Sequence, residues 1–443
     1  MALNLIFSIL IWGTSAVVLL SILITGGMPV PSFLANTDKK KNSFSFLDKS
    51  QGFGNSFAPG RRETLEIFGS AFVLRIGMVL FAVVALCLFM DSETLNLETF
   101  LSKFVIWDAN SYVNIAKGGY TEYLENGEPI TLVFFPLYSM FIRLVNLITF
   151  GTGDVRIAGL LTSALCFSAG CCFLYAMVAK NYGKAVAGKA VLYLSISPFG
   201  FFFGTLMSES AFFFMICLCL YLISEKRWWM FAIAGILCAL ARMQGVLIII
   251  PACIQWFETY RPVEQLRKKN GKKVWEDISR RLVFVPLPIA GTLIYLYINY
   301  RVAGDAFAFL DYQRRYWHHG YQYIGEAIQL DFKNVLTGGL TMQHVGMWIP
   351  QLFFFLLAIG LAVYGVKRHE NKLVAYLLAY TVVSYSLDWL ISGPRYMLCA
   401  VPMWVILGEL GSRFKRLDRI ITILSPILMG IYFVGYLFMR QIV

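Results

Sequence analysis

The chain has 443 residues, of which 58% are hydrophobic and only 14% charged, too few polar side chains to cover a soluble domain. Its formal charge of +12 sits in short clusters between apolar runs rather than along one amphipathic face, which argues for topology signals and against nucleic acid as a partner. Runs such as 68–90, 282–298, 347–366 and 420–439 are long enough to cross a hydrocarbon core of about 30 Å. The nine cysteines lie mainly within apolar stretches, without metal-ligand spacing, and read as small packing residues.

In chain order, residues 1–26 are apolar with no charged side chain before Asp38, so they lack the basic start of a secretory signal and read as an anchor helix. Residues 27–63 form a polar linker carrying Lys39, Lys40, Lys41, Lys49, Arg61 and Arg62, cytoplasmic by the positive-inside rule. The next span, residues 67–90, then runs outward, and 91–130 becomes a first outer loop with six acidic residues after Asp91. A core over 64–257 is followed by a basic cytoplasmic loop at 258–281 and further transmembrane helices over 282–443. Basic clusters at 367–372 and 413–419 are also cytoplasmic, which places 301–345 and 392–395 outside.

The middle of the core leaves a conflict. Apolar runs at 131–150, 157–179, 186–204, 206–223 and 228–257 read as five crossings satisfy parity but put Lys180, Lys184, Lys189, Lys226 and Arg227 outside. A helix broken at Arg242, or a re-entrant segment near Pro198, relieves it, because irregular backbone at membrane depth is tolerated where it is buried in protein or lines a wet cavity. The expectation is an all-α polytopic bundle of about 10–12 transmembrane helices with an external amphipathic loop.

The stretch Trp107-Asp108-Ala109-Asn110-Ser111-Tyr112, continuing to Gly119-Tyr120, is followed by Phe134-Phe135-Pro136-Leu137-Tyr138. In a helix Asp108, Tyr112 and Ile115 share one face, along the outer membrane surface. A carboxylate there suits a base that deprotonates a sugar hydroxyl beside a lipid-linked donor, although Asp108 capping its own helix fits the spacing equally well. Further on, Glu209 stands between two serines in an apolar run and must face a partner or a polar cavity, either locking helices with Arg242 or orienting a substrate hydroxyl. Arg242 lies too deep to snorkel, and Arg395 opens a late helix in Gly393-Pro394-Arg395-Tyr396; both suit a phosphate, while Arg395 also reads as an interfacial anchor or a partner of Asp388. Arg314, Arg315, Trp317 and His318 mix cations with aromatics, as a sugar-phosphate site or an interfacial belt does. The histidines lack companion carboxylates at metal spacing, and no phosphate loop or hydrolase elbow occurs.

The motifs from Trp107 to Tyr120, Phe134 to Tyr138, Ser197-Pro198-Phe199 to Ser208-Glu209-Ser210, and Leu240-Ala241-Arg242 with Gln244-Gly245 resemble, in order, those of the PIG-V type mannosyltransferases, the GPI mannosyltransferase II group and its bacterial relatives. The resemblance covers roughly residues 68–255 and implies a GT-C class membrane glycosyltransferase with Asp108 as general base. The segment before residue 63 is not part of that family's core, and Met243-Gln244 departs from its pattern after the arginine.

The implied reaction is transfer of a hexose, mannose by resemblance, from a polyprenyl-phosphate donor to a lipid-linked or envelope acceptor outside the membrane, with inversion. Arg242, Arg395, Arg314 and Arg315 are the candidates for donor phosphate. Trp107, Tyr112, Tyr138, Glu209, Gln244, Tyr396, Trp317 and His318 are the candidates for substrate contact, and no divalent metal or other cofactor is required. The expected partners are membrane lipids, donor and acceptor. A lipid or solute transporter is the main rival, since buried Glu209 and Arg242 also suit a translocation path, and a non-catalytic assembly subunit is the third class.

Overall fold

A computed structural model describes residues 2–28, 57–90, 96–149, 154–318, 320–337 and 339–440, so most of the expected linker lies outside the described residues. Among these the chain is nearly all helical, with isolated bridges of Glu125 to Glu128 and Tyr321 to Leu387 but no strand. The protein is thus a polytopic all-α membrane protein, as its composition requires. Six described helices are long and apolar enough to cross a membrane by length and composition alone.

Shorter helices complete the bundle, because their termini reach polar partners at one of two ends. Twelve described helices make up the bundle: α1 (Ala2–Thr25), α2 (Arg61–Phe89), α3 (Val155–Tyr182), α4 (Lys184–Ser195), α5 (Glu209–Ser224), α6 (Trp228–Ala241), α7 (Ile249–Tyr260), α8 (Pro288–Ala303), α9 (Ile349–Gly365), α10 (Asn371–Tyr385), α11 (Val401–Arg413) and α12 (Lys415–Leu437). One end is basic. There Lys180 pairs with Glu225 at 2.6 Å and Lys184 with Glu63 at 3.3 Å, Lys189 meets Asp418 at 2.5 Å, and Asn371 donates to Glu258 at 2.7 Å. At the opposite end Arg156 joins Glu98 to Asp154, and Tyr295 donates to the Leu132 carbonyl.

This arrangement corrects the five simple crossings considered for 131–257. Helix Leu137–Ile148 has 12 residues, a length of roughly 18 Å. It stays at the end away from the basic one, where Arg143 donates to the carbonyls of Ala116 and Ile115. The last run splits instead, α6 and α7 being separate passes joined through Arg242. Five passes still lie between 155 and 260, and all five lysines and arginines of the conflict come to the basic end. The apolar runs alone left both arrangements open, because a run shows length and not direction.

Passes α4, α6 and α7, at 12, 14 and 12 residues, fall well short of a core of about 30 Å. The turns joining α4 to α5 and α6 to α7 are therefore sunk into the bundle, where every backbone group needs a protein partner. Arg75 of α2 supplies one such partner. Its guanidinium, fully buried and 4.3 Å over the Phe167 ring, donates to the carbonyls of Ser195 at 2.6 Å and Gly200 at 2.5 Å, the last residue of α4 and the first of the short helix Gly200–Gly204 that follows the break. Close packing holds the passes: a Cβ on Gly408 of α11 would stand 2.9 Å from the Ala190 amide and the Val186 carbonyl of α4, so only glycine lets these backbones touch. Helix α5 is buried along most of its length, whereas α1, α2 and α12 turn rows of leucine, isoleucine, valine and phenylalanine outward to lipid.

Candidate active site

Helix Asp108–Gly118 begins at a strained residue. Trp107 has φ 51° and ψ −126°, a conformation that costs a non-glycine residue roughly 1–3 kcal/mol, and its indole packs edge-on against Tyr436 at 5.4 Å. No side chain caps this helix. The Asp108 carboxylate instead leaves its own helix and meets Arg395, with Oδ2 at 2.8 Å from Nη1. Its second oxygen accepts no hydrogen bond among the described residues. Asp108 thus reads structurally as a group held by a distant arginine at the rim of a cavity, rather than as a helix cap.

Arg395 sits in the short helix Gly393–Met397 between α10 and α11 and is almost fully buried. Its Nε donates to Glu209 Oε1, and that same oxygen accepts from Nη2 of Arg242. Glu209, at the first position of α5, is wholly buried and so holds two guanidiniums side by side. The partner of Arg395 is therefore not Asp388, whose Oδ1 accepts from the Gly320 amide at 2.6 Å. Arg242 is in extended conformation at the end of α6, which swings its side chain back across the turn to donate to Ser208 Oγ at 3.0 Å. Tyr112 donates to the same Ser208 oxygen at 2.8 Å. Two arginines and two carboxylates thus form one chain, Asp108–Arg395–Glu209–Arg242, with no net charge. Such a cluster is tolerable at depth because each charge has an opposite neighbour; removing one partner of such a pair typically costs about 3–5 kcal/mol.

The helix carrying Arg395 is braced from behind. Gln351 of α9 accepts from the Gly393 amide at 3.3 Å and donates to the Leu390 carbonyl at 3.2 Å and to Asp331 Oδ1 at 2.6 Å. Asp331, in the loop helix Ile324–Leu336, is buried, and burial pushes its carboxyl up to about 7 against the opposing effect of the Gln351 hydrogen bond.

A cavity of about 140 Å³ opens against this chain, lined by Asp108, Tyr112, Arg242, Gln244, Arg395 and Tyr396 and, from the outer loop, by Phe309, Gln313 and Trp317. Of the residues singled out in the sequence, it brings together Asp108, Tyr112, Arg242, Gln244, Trp317, Arg395 and Tyr396. Others lie elsewhere. Glu209 is behind the arginines, Trp107 packs on α12, and Tyr138 is a core residue bonded to Ser163 Oγ at 2.7 Å. Arg314 and His318 are exposed outside the cavity. Arg315 holds Glu128 at 2.9 Å and Asp311 at 2.7 Å, tying helix Ala308–Trp317 to the first outer loop. Hydrogen bonds from Arg315 and then Tyr316 keep Glu128 below the ordinary carboxylate range. His319 lies outside the described residues.

The sequence reading gave no role to Ser208, which joins Tyr112 to Arg242. Ser208 sat within a quoted motif, but nothing local marks a serine that serves two partners 34 and 96 residues away.

Residues 129–273 match the family described as dolichyl-phosphate-mannose-protein mannosyltransferase. The matched stretch contains Glu209, Arg242 and Gln244 but neither Asp108 nor Arg395. It supports a mannosyltransferase-like membrane glycosyltransferase of the GT-C class and does not single out the PIG-V type. A search of curated proteins found no match.

Proposed function

We propose that the protein transfers a hexose, mannose by resemblance, from a polyprenyl phosphate to a hydroxyl of a lipid-linked or envelope acceptor, at the end of the bundle opposite the basic one and outside the cytoplasm. The single observation that carries this reading is a carboxylate with one free oxygen and two arginines lining one cavity at the outer end of a membrane bundle. A transporter needs no such alignment of a base with cations. By the positive-inside rule the basic end is cytoplasmic, which makes the site external.

The acceptor oxygen attacks the anomeric carbon while its proton passes to Asp108 Oδ1. The bond from that carbon to the phosphate oxygen breaks on the opposite face, its electron pair going to the phosphate, and the configuration inverts. Asp108 becomes neutral as the departing phosphate gains one negative charge, so the charge within the site is unchanged. Arg395 and Arg242 are already fixed by Glu209 and meet the phosphate charge without reorganising, which makes them more effective than mobile side chains. Guanidiniums in this role supply what a divalent metal supplies elsewhere, and no metal is needed for the proposed step. Arg395 touches both the base and the phosphate position, and thereby sets their distance.

At about 140 Å³ the cavity is smaller than the roughly 300 Å³ at which small-molecule sites begin. We assign the opening to helix Ala308–Trp317, which walls the cavity with Phe309, Gln313 and Trp317 and is fastened on its outer side by the exposed Arg315 pairs. The test is transfer of labelled mannose from polyprenyl phosphate by purified protein carrying Asp108→Asn. Full activity in that variant rejects Asp108 as the base, and vesicle uptake without a new glycosidic bond rejects the enzyme.

A further inference from the structure

The basic end carries a feature that the transferase reading does not use. A cleft of about 540 Å³ lies between α4, α11 and the start of α12, lined by Lys189, Ser412, Lys415, Asp418, Arg419 and Thr422 and ending at Ile423. Its one carboxylate is already engaged: Asp418 accepts from Tyr193 at 2.6 Å and pairs with Lys189 at 2.5 Å. Lys415 and Arg419, four residues apart on one face of α12, have no acidic partner among the described residues. Like charges at that spacing repel, and cations in the first turns of a helix oppose its dipole. A topology signal requires positive charge near the membrane, but it does not require that charge to line a cleft.

The face of α12 that leaves this cleft is apolar and uncovered. Ile423, Ile427 and Ile431 follow at intervals of four and are 57%, 55% and 60% exposed. From Arg419 to Ile431 the helix runs roughly 18 Å, about one leaflet of a core near 30 Å. Cations at the interface and an apolar strip below them match a phosphate with a hydrocarbon chain attached.

We propose that this cleft binds an anionic glycerophospholipid of the same leaflet, its phosphate on Lys415 and Arg419 and an acyl chain along Ile423 and Ile427. The inference is independent of the transferase reading, since it concerns the opposite end and is tested without an activity measurement. The full-length protein is purified and its thermal unfolding and native mass spectrum are followed on titration with phosphatidylglycerol, phosphatidylcholine, polyprenyl phosphate and inorganic phosphate. Phosphatidylglycerol is expected to raise Tm and to be retained, and Lys415→Gln with Arg419→Gln is expected to weaken retention roughly thirty-fold, as loss of two interfacial cations implies. Ile423→Ser with Ile427→Ser weakens it also while retaining the cations. Unchanged retention in the charge variant overturns the proposal. So does equal stabilisation of the wild-type protein by phosphatidylcholine or by inorganic phosphate alone, neither of which needs a variant to fold, and so does polyprenyl phosphate retention that exceeds that of phosphatidylglycerol and is lost in the charge variant, since retention that survives in that variant belongs to the outer cavity.

Discussion

Two regions of the bundle bury an arginine, and they solve the same problem in opposite ways. Around Arg75 the guanidinium donates to the backbone carbonyls of Ser195 and Gly200, groups that have no freedom to leave. Around Arg395 the partners are two carboxylates, one of which lines a cavity. The first arrangement repairs a broken helix. The second lies beside open space, where on the proposed reading a donor phosphate adds to the carboxylates already held. Burial alone therefore does not mark a functional arginine; the chemistry of its partners and its access to open space do.

The largest effect tests the open region. Asp108→Asn keeps size and polarity but removes the proposed base, and transfer of labelled sugar is expected to fall about 10²–10⁴-fold with membrane insertion unchanged. The closed region should respond in stability and not in kinetics. Arg75→Met removes two buried hydrogen bonds and leaves the Ser195 carbonyl unsatisfied, at about 1–3 kcal/mol, so thermal unfolding in detergent shifts down while the donor KM of surviving enzyme stays put. A raised donor KM with normal Tm would erase the distinction between the two regions.

Arg395→Lys retains charge but loses the fork that spans Asp108 and Glu209. Donor KM is expected to rise about ten- to a hundred-fold, corresponding to one or two charge-assisted hydrogen bonds, with a smaller change in Tm than Arg75→Met gives.

The brace behind Arg395 adds a pH test. The Asp331 carboxyl titrates near 7 in the fold and near its ordinary value when unfolded, so between these values the folded state binds the extra proton. Its contribution to stability accordingly declines as pH rises from about 4 to 7 and is level above that. Asp331→Asn should remove this slope in Tm, and an unaltered slope would assign it to another group.

The smallest effect concerns the outer fastening of helix Ala308–Trp317. Glu128 is depressed, so its support is present above the ordinary carboxylate range and is lost as pH falls through its lowered value. Proteolysis of the loop 301–345 should therefore quicken in acid, and Arg315→Ala should give the same rate at neutral pH. The pair is exposed, which keeps this effect modest.

What the residues announced by themselves was class and inventory. Composition required a membrane bundle, the motif around Asp108 singled out that carboxylate, and the cost of burying charge made Arg242 a candidate partner of Glu209, while Arg395 stood out as a candidate phosphate ligand. The break at Arg242 was one of two ways, with a re-entrant segment near Pro198, to bring in charges that straight crossings put on the wrong side. What tertiary structure alone decided was which partner each charge takes. Asp108 joins Arg395, 287 positions along the chain, and one oxygen of Glu209 serves both arginines, 33 and 186 positions away. It also sent Arg315 to Glu128 and away from the cavity. Local spacing fixes which side chains share a helix face, whereas ion pairs between passes depend on helix order, depth and rotation, and these are set by how the whole bundle packs.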